Sequence, residues 1–432
     1  MTSLDTIVSL AKRRGFIFPG SDIYGGLAGT WDYGPLGVAL KNNIKNLWWQ
    51  KFVIEREDMY GVDAALLMNA RVWEASGHVA GFSDPLVECK KCKKRFRADH
   101  VEGSACPECK GELSEPRAFN MMFKTQIGAV EDSAAVSYLR PETAQGIFVN
   151  FKNVVDAFHP KLPFGIAQIG KAFRNEITPR DFIFRVRELE QMEVEYFIRE
   201  DDWQRAFEEW RIIMLAWCES IGLDMASVSE LEIADGDRAH YSKRTIDFEF
   251  EYPFGKKELY GLAYRTNYDL TKHIEHSSKD LSYFDEETKE RFTPHVIEPS
   301  LGVERTLLAL MLSAYREDEV GGEKREYLAF KPSVAPVKVA VFPLVKNKPD
   351  LVAKAREVYV GLKKEFGAVV FDDNGNIGKR YRRQDEIGTP WCVTVDYQTL
   401  EDGTVTVRHR DTAEQERVAI GDVAGTFREK LS

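Results

Sequence analysis

The sequence predicts an α+β domain built on an antiparallel sheet flanked by helices, followed by an α/β domain with a mixed sheet. Residues 173–197 have the pattern of a long β-hairpin, because two runs with strand character flank turn-forming residues at 178–181. Bulky apolar residues at helical spacing predict amphipathic helices at 36–53 and 201–221. Beyond residue 333, short strands alternate with helices, which is typical of a partly parallel sheet.

Length and composition indicate a soluble protein of several domains. A chain of 432 residues is too long for one compact core, and 44% hydrophobic with 30% charged residues is ordinary for a globular protein. The net charge of −10 argues against indiscriminate binding to nucleic acid. The chain shows no basic leader followed by an apolar run, and no apolar stretch of roughly eighteen residues. We therefore expect a cytoplasmic protein without membrane segments.

The predicted hairpin has one apolar face and one polar face. The apolar face consists of Val186, Met192, Val194, Tyr196 and Ile198, and the polar face of Arg174, Glu176, Arg185, Arg187, Gln191 and Glu193. A solvated strand face with ion pairs would explain such a pattern. However, residues 164–170 have the composition of a buried strand, so the charges lie beside a core and a binding cleft is the alternative.

Four cysteines form two pairs with the spacing of a metal site. Cys89 and Cys92 are separated by thirteen residues from Cys106 and Cys109, and two such pairs supply the four thiolates that structural Zn²⁺ prefers. Disulfides are the alternative, although thiols stay reduced in the cytoplasm. The pairs enclose several lysines and arginines, which suit either phosphate binding or simple solubility.

Three segments, in order along the chain, resemble the motifs of the class II aminoacyl-tRNA synthetases. Residues 34–37, Gly-Pro-Leu-Gly before an amphipathic helix, are similar to motif 1, and Phe-Arg-Asn-Glu at 173–176 is similar to motif 2. Gly-Val-Glu-Arg at 302–305, at the head of an apolar helix, is similar to motif 3. The run 188–197 and the segment Arg-Pro-Glu-Thr-Ala-Gln at 140–145 resemble the glycyl enzymes of the homodimeric type.

This resemblance implies a domain organisation. Residues 1–332 would form the catalytic domain, with residues 86–116 as its zinc-binding insertion, and residues 333–432 would form an anticodon-binding domain. The last domain contains a cationic helix with Tyr381, a combination that suits single-stranded bases, although a solvated helix is the ordinary alternative. The helix at 36–53 would form a homodimer interface, or would pack only on its own sheet.

The resemblance also implies the residues that bind ATP. Activation is attack of a carboxylate on the α-phosphate of ATP, so the site needs arginines and Mg²⁺ to position anions and no general base. The expected catalytic residues are Arg174 on the α-phosphate, Glu176 on the adenine amino group and Arg305 stacked on the adenine ring. The expected ATP-binding residues are Arg174, Asn175, Glu176, Phe184, Arg185, Val186, Arg187, Glu188, Leu189, Glu258, Leu259, Gly302, Val303, Glu304 and Arg305.

Glycine offers only an ammonium and a carboxylate group, so its pocket should be acidic and too small for a β-carbon. The residues that the resemblance assigns to the amino-acid substrate are Arg97, Glu142, Leu189, Glu190, Gln191, Met192, Glu193, Glu298 and Ser300. Leu189 departs from the family, which commonly has an aromatic residue at this position to cover the adenine.

The sequence therefore predicts an enzyme that activates glycine with ATP and transfers it to the 3′ end of its cognate tRNA. ATP, Mg²⁺ and a structural Zn²⁺ are the expected co-substrate and metals. One rival is a prolyl, threonyl or histidyl enzyme of the same subclass. Another is a non-catalytic nucleic-acid-binding protein on this scaffold, which would be free to lose Arg174, Glu176 and Arg305; all three are present.

Overall fold

The computed structural model describes residues 2–129 and 136–431. In this part of the chain the α-helices are α1 (Leu4–Arg13), α2 (Pro35–Trp49), α3 (Ala70–Ala75), α4 (His78–Gly81), α5 (Ala144–Phe158), α6 (Trp203–Ile221), α7 (Tyr268–Ser277), α8 (Val303–Ala314), α9 (Pro349–Phe366), α10 (Ile377–Ile387), α11 (Tyr397–Asp402) and α12 (Ile420–Leu431). None of these described helices is both long enough and apolar enough to cross a membrane.

The described strands fall into two main sheets and several small ones. They are β1 (Ile17–Pro19), β2 (Trp31–Tyr33), β3 (Met59–Gly61), β4 (Ser83–Glu88), β5 (Arg95–Arg97), β6 (Arg117–Asn120), β7 (Lys124–Gln126), β8 (Val136–Tyr138), β9 (Phe164–Phe173), β10 (Glu188–Ile198), β11 (Val228–Glu232), β12 (Arg244–Tyr252), β13 (Gly255–Thr266), β14 (Tyr283–Phe284), β15 (Arg291–Phe292), β16 (His295–Gly302), β17 (Tyr315–Val320), β18 (Glu323–Leu328), β19 (Val339–Pro343), β20 (Val369–Phe371), β21 (Trp391–Val395), β22 (Thr404–His409) and β23 (Gln415–Ala419).

The larger sheet confirms the predicted α+β architecture. Its order among the described strands is β11-β12-β13-β16-β10-β9-β3, and every neighbouring pair is antiparallel except β3 with β9. Helices α2, α6 and α8 pack on one face, where the apolar residues of β10 belong to the main core. Helix α5 packs at one end of the other face.

The hairpin that carries the motif 2 residues differs from the prediction. Strands β9 and β10 pair from Phe173 opposite Glu188, so residues 174–187 form a long connecting loop and are not strand. Two of its backbone hydrogen bonds go to distant segments: the Asn175 N–H donates to the Met121 carbonyl at 2.7 Å and the Arg187 N–H to the Gly29 carbonyl at 2.8 Å. Across the loop, the Arg174 N–H donates to the Arg187 carbonyl at 2.9 Å and residues 180 and 185 form an isolated bridge. The long hairpin is thus confirmed, but its turn lies at 181–184, three residues after the predicted 178–181.

The predicted amphipathic helices are confirmed. Helix α2 continues into a π-turn at Gln50–Ile54; Leu40, Ile44, Trp48 and Phe52 are fully buried, whereas Leu47 is partly buried. The Phe52 ring stacks on Trp48 with the centroids 5.0 Å apart and on Trp210 of α6 at 5.9 Å. This aromatic stack fixes both helices on the same face of the sheet.

The C-terminal part has its own mixed sheet, as predicted. The order of its described strands is β20-β19-β21-β22-β23, in which β19 is parallel to β20 and β21 while the other pairs are antiparallel. Helices α9 and α12 contribute apolar residues to a core of valines from this sheet. The predicted strand at 391–395 has the observed bounds.

Candidate active site

An arginine-rich cleft opens between the loop at 174–187, strand β13 and the head of α8. Its volume is about 260 Å³. The lining residues that the sequence analysis named are Arg97, Arg174, Glu176, Phe184, Arg185, Val186, Leu189, Gln191, Glu258, Leu259, Ser300, Gly302, Glu304 and Arg305. The fold thus brings residues from four distant segments of the chain together in one cleft.

The arginines of the cleft repel one another. Burial lowers the pKa of Arg185, and the neighbouring Arg97, Arg305 and Arg180 lower it further, while Glu176 opposes this effect. The cleft contains more guanidinium groups than carboxylates, so its electrostatic potential is positive. A bound polyanion would reduce the repulsion between these arginines. The cleft therefore favours a phosphate-bearing ligand.

Glu176 presents an unused acceptor to the cleft. The residue is only 9% exposed, and its Oε2 accepts no hydrogen bond from the described residues. The nearest cation is Arg185, with 3.7 Å between Nη1 and this oxygen. A buried acceptor without a partner is costly, so Glu176 is suited to receive a donor from a ligand.

Arg305 offers a flat guanidinium to the cleft. Its Nη1 lies 2.9 Å from Glu258 Oε2 and also donates to the Glu258 carbonyl at 3.0 Å. The guanidinium lies over the Phe184 ring, 4.5 Å from its centroid. Arg305 lowers the pKa of Glu258, so this carboxylate is held ionised. A planar cation fixed in this way can stack on an aromatic base.

A second, acidic pocket meets the cleft at Arg174. Its volume is about 280 Å³, and it shares Arg174, Gln191, Glu258 and Ser300 with the cleft. Its carboxylates are Glu142, Glu193, Asp237, Asp247, Glu258 and Glu298. The Nε of Arg174 donates to the Pro141 carbonyl at 3.1 Å, which anchors the guanidinium at the junction. The arrangement can bind an ammonium group next to a phosphate.

Two glutamates of this pocket have side-chain partners within hydrogen-bond distance. The Oε2 of Glu142 lies 3.2 Å from His78 Nε2, and although burial raises the pKa of Glu142, His78 and Arg265 hold it below its usual value. Glu193 accepts from Ser300 Oγ at 2.7 Å and from Thr143. Burial and the neighbouring Glu142 raise the pKa of Glu193.

The sequence analysis missed the cation that supports this pocket. Buried Arg265 donates from Nη1 to Glu298 at 2.6 Å and from Nε and Nη2 to Asp269, both at 2.8 Å. Its guanidinium also stacks on Tyr241, 3.9 Å from the ring centroid. Arg265 lies near the end of β13 and Asp269 in the first turn of α7, so this ion pair joins a strand to the helix that follows it. The contact between Arg265 and Glu298 joins two neighbouring strands, and no pattern in the sequence indicated it.

Asp247 is a second residue that sequence reasoning missed. It lies on β12 in the acidic pocket, where burial and the nearby Glu258 raise its pKa to about 7. Two carboxyl groups in proximity at the edge of the arginine cleft are suited to hold a divalent cation.

Six residues expected at the site line neither cavity. They are Asn175, Arg187, Glu188, Glu190, Met192 and Val303. Strand alternation explains the even-numbered residues of β10, because their side chains point away from the face that carries Leu189, Gln191 and Glu193. Met192 and Val303 belong to the core.

The charged members of this group make other contacts. Glu188 pairs with Lys171, and Glu190 pairs with Lys41 at 2.6 Å. Arg187 donates to the carbonyl oxygens of Ala28 and, at 3.0 Å, of Glu176. These residues support the loop and the strand and do not face the cavities.

The four cysteines converge as predicted. Their sulfur atoms all lie within 4.8 Å of one another; the Cys89 and Cys109 Sγ atoms are 3.5 Å apart, and those of Cys92 and Cys106 3.7 Å apart. Zn–S bonds of about 2.3 Å in a tetrahedron place the sulfurs about 3.8 Å apart. The donor set therefore fits a zinc ion.

The cysteine module also reaches the arginine cleft. Strand β5 begins three residues after Cys92 and carries Arg97, whose Nη1 lies 2.7 Å from Asp84 on β4. Arg97 lines the cleft, so the metal-binding fold and the anion site share one short strand.

Comparisons with known proteins agree with this geometry. Residues 123–314 match the family described as the tRNA synthetase class II core domain (G, H, P, S and T), and residues 338–430 match the anticodon binding domain. The chain is 51% identical to the glycine–tRNA ligase of Caldanaerobacter subterraneus subsp. tengcongensis, over 99% of this chain and 98% of that protein. It is also 51% identical to the glycine–tRNA ligase of Thermobifida fusca and 50% identical to that of Geobacillus thermodenitrificans, each over 100% of this chain and 98% of the relative. The chain therefore belongs to the glycine–tRNA ligase family of the class II tRNA synthetases.

Proposed function

We propose that this protein activates glycine with ATP to form glycyl-adenylate and transfers glycine to the 3′ end of its cognate tRNA. The observation that carries the proposal is the meeting of two cavities at Arg174: an arginine-rich cleft suited to a triphosphate, and an acidic pocket suited to an ammonium group. Adenylate formation needs these two substrates side by side with the carboxylate against the α-phosphate.

We assign the activation step to positioning and charge stabilisation. The glycine carboxylate is already ionised, so Arg174 holds it against the α-phosphate and absorbs charge at phosphorus. The free Oε2 of Glu176 accepts from the adenine amino group, and Arg305 stacks on the adenine with Leu189 on its other face. Glu258 and Asp247 would hold Mg²⁺, which would neutralise the phosphate oxygens and orient them for attack.

We assign selection of glycine to the acidic pocket. Glu142, Glu193 and Glu298 with the Ser300 hydroxyl receive the ammonium group, and packing around the α-carbon excludes a side chain. Because every competing amino acid is larger, steric exclusion is sufficient and no editing step is needed.

The remaining assignments concern the domains and partners. Residues 1–332 would form the catalytic domain and residues 86–116 its zinc-binding insertion, supported by the convergent cysteines. Residues 333–432 would read the anticodon, supported by the matching family at 338–430. Helix α2 would join two chains in a homodimer, and the enzyme would act in the cytoplasm.

The test is amino-acid-dependent exchange of pyrophosphate into ATP, measured with each of the twenty amino acids. We expect exchange with glycine alone. Exchange with proline, threonine or histidine would assign the chain to another enzyme of the subclass, and no exchange by a folded protein that still binds tRNA would favour the non-catalytic alternative.

A further inference from the structure

Glu195 on β10 is a buried carboxyl group to which the proposed mechanism gives no role. Its exposure is 0%, and neither carboxylate oxygen has a hydrogen-bond partner among the described residues. An ionised carboxylate under these conditions would be very costly, whereas a neutral acid is tolerated far better.

The strand register places this group opposite another carboxyl. Glu193 pairs with Ser300 and Tyr196 with Ile297, so continuing the same register sets Glu195 directly across from Glu298. Facing side chains on neighbouring antiparallel strands have their Cβ atoms about 5 Å apart, and like charges at this distance are unfavourable. At most one of the two carboxyl groups can keep its charge at low cost.

The nearby cation favours Glu298 as the charged partner. Arg265 donates from Nη1 to Glu298 at 2.6 Å, and its other two nitrogens donate to Asp269. The charged groups that face Glu195 are Glu193 on its own strand, Glu298, Arg265 and Asp269. Burial and Glu298 raise the pKa of Glu195 well above its usual value. Burial also raises the pKa of Glu298, but Arg265 opposes this rise most strongly at Glu298, so Glu298 is the first of the pair to ionise.

We infer that Glu195 is a neutral, protonated acid in the folded enzyme and acts as a positioning residue that leaves Glu298 ionised and oriented for the ammonium group of the substrate. Glu195 lies across from Glu298 in the strand register, and Glu298 is the only member of the pair whose carboxylate accepts from a guanidinium among the described residues. The part of this inference that concerns glycine rests on the proposed function.

The experiment compares Glu195→Gln with Glu193→Gln and Glu195→Ala in the full-length chain. Glutamine resembles a protonated glutamic acid in size and can donate a hydrogen bond, so Glu195→Gln should change the KM for glycine by less than about threefold. Glu195→Ala removes the neutral acid beside Glu298 and should raise that KM about tenfold with the KM for ATP unchanged. Glu193→Gln, which alters an ammonium ligand, should also raise it.

The melting temperature gives a second measurement, which does not need activity. A carboxyl group whose pKa is raised on folding loses stability as pH rises from its unfolded value towards its folded value. Glu195→Gln should therefore raise the melting temperature, and by more at pH 8 than at pH 5. The infrared band of a protonated carboxyl group should disappear from the same variant.

Each outcome either supports or overturns the inference that Glu195 is protonated. A Glu195→Gln protein that melts lower than wild type at pH 8, fails to fold, or binds glycine at least tenfold more weakly would show that Glu195 is ionised and would overturn it. If the wild-type enzyme shows no glycine-dependent exchange, the proposed function fails, while the melting and infrared results still test the protonation of Glu195.

Discussion

Replacing Lys41 with methionine should destabilise the catalytic core and weaken ATP binding together. Lys41 lies on α2 but its ammonium group is buried between two carboxylates, 2.6 Å from Glu190 on β10 and 2.8 Å from Glu304 on α8. One lysine thus links three elements, and Glu304 directly precedes Arg305 at the arginine-rich cleft.

The magnitude follows from the burial of the three groups. The side-chain exposures are 8% for Lys41, 13% for Glu190 and 5% for Glu304, so solvent screens the network only weakly. Removing one partner of a buried pair costs about 3–5 kcal/mol. In the variant Glu190 still pairs with Lys45 at 3.0 Å, so we expect a loss of stability at the lower end of this range, about 3 kcal/mol. This loss corresponds to a fall in Tm of roughly 5–10 °C.

The assay is thermal unfolding with Lys45→Met as the matched control. Among the residues that the structure describes, Lys45 forms an ion pair only with Glu190, and it is more exposed than Lys41, so its loss should cost less than about 1 kcal/mol. Lys41 and Lys45 lower the pKa of Glu190 against the effect of burial, so the stabilisation exists above about pH 4.3 and decreases as pH falls below it. The reasoning is refuted if Lys41→Met costs no more than Lys45→Met, or if its cost is the same at pH 4 and pH 7.

Three further changes test other parts of the site. Arg174→Ala should abolish glycine-dependent pyrophosphate exchange and leave the tRNA affinity nearly unchanged, because the Arg174 guanidinium lies where the two cavities meet. A large loss of tRNA affinity would instead show that Arg174 contacts tRNA. Cys106→Ser should lower the zinc content found by elemental analysis from about one ion per chain, whereas Cys218→Ser, in the core under the main sheet, should not. Raising the pH through about 7 should ionise Asp247 and lower the Mg²⁺ concentration needed for half-maximal exchange, and Asp247→Asn should remove this pH dependence.

Local patterns predicted the regular elements well. Helix α6 begins two residues after the predicted start, and the β21 strand has the predicted bounds, because both follow from the periodicity of their own apolar residues. The cysteine cluster was equally predictable, since a metal site of this kind is encoded by spacing within two short segments.

Contacts between distant segments were not predictable in this way. The loop at 174–187 departs from regular strand pairing where its backbone bonds to Met121 and Gly29, and no pattern inside the loop reveals those partners. The same holds for Arg265, whose role depends on Glu298 across the sheet. The residue types predicted an acidic pocket. The register of the strands determines which carboxylates line it.

The hydrogen bonds of Arg187 have a consequence for how the enzyme moves. This side chain connects the Gly-rich segment at 20–30, through the carbonyl of Ala28, with the loop at 174–187, which lies 159 positions away. Coupling between two such regions is reciprocal. We therefore expect a ligand that immobilises the loop to slow amide exchange in the segment at 20–30 as well, and a ligand of that segment to strengthen binding at the loop.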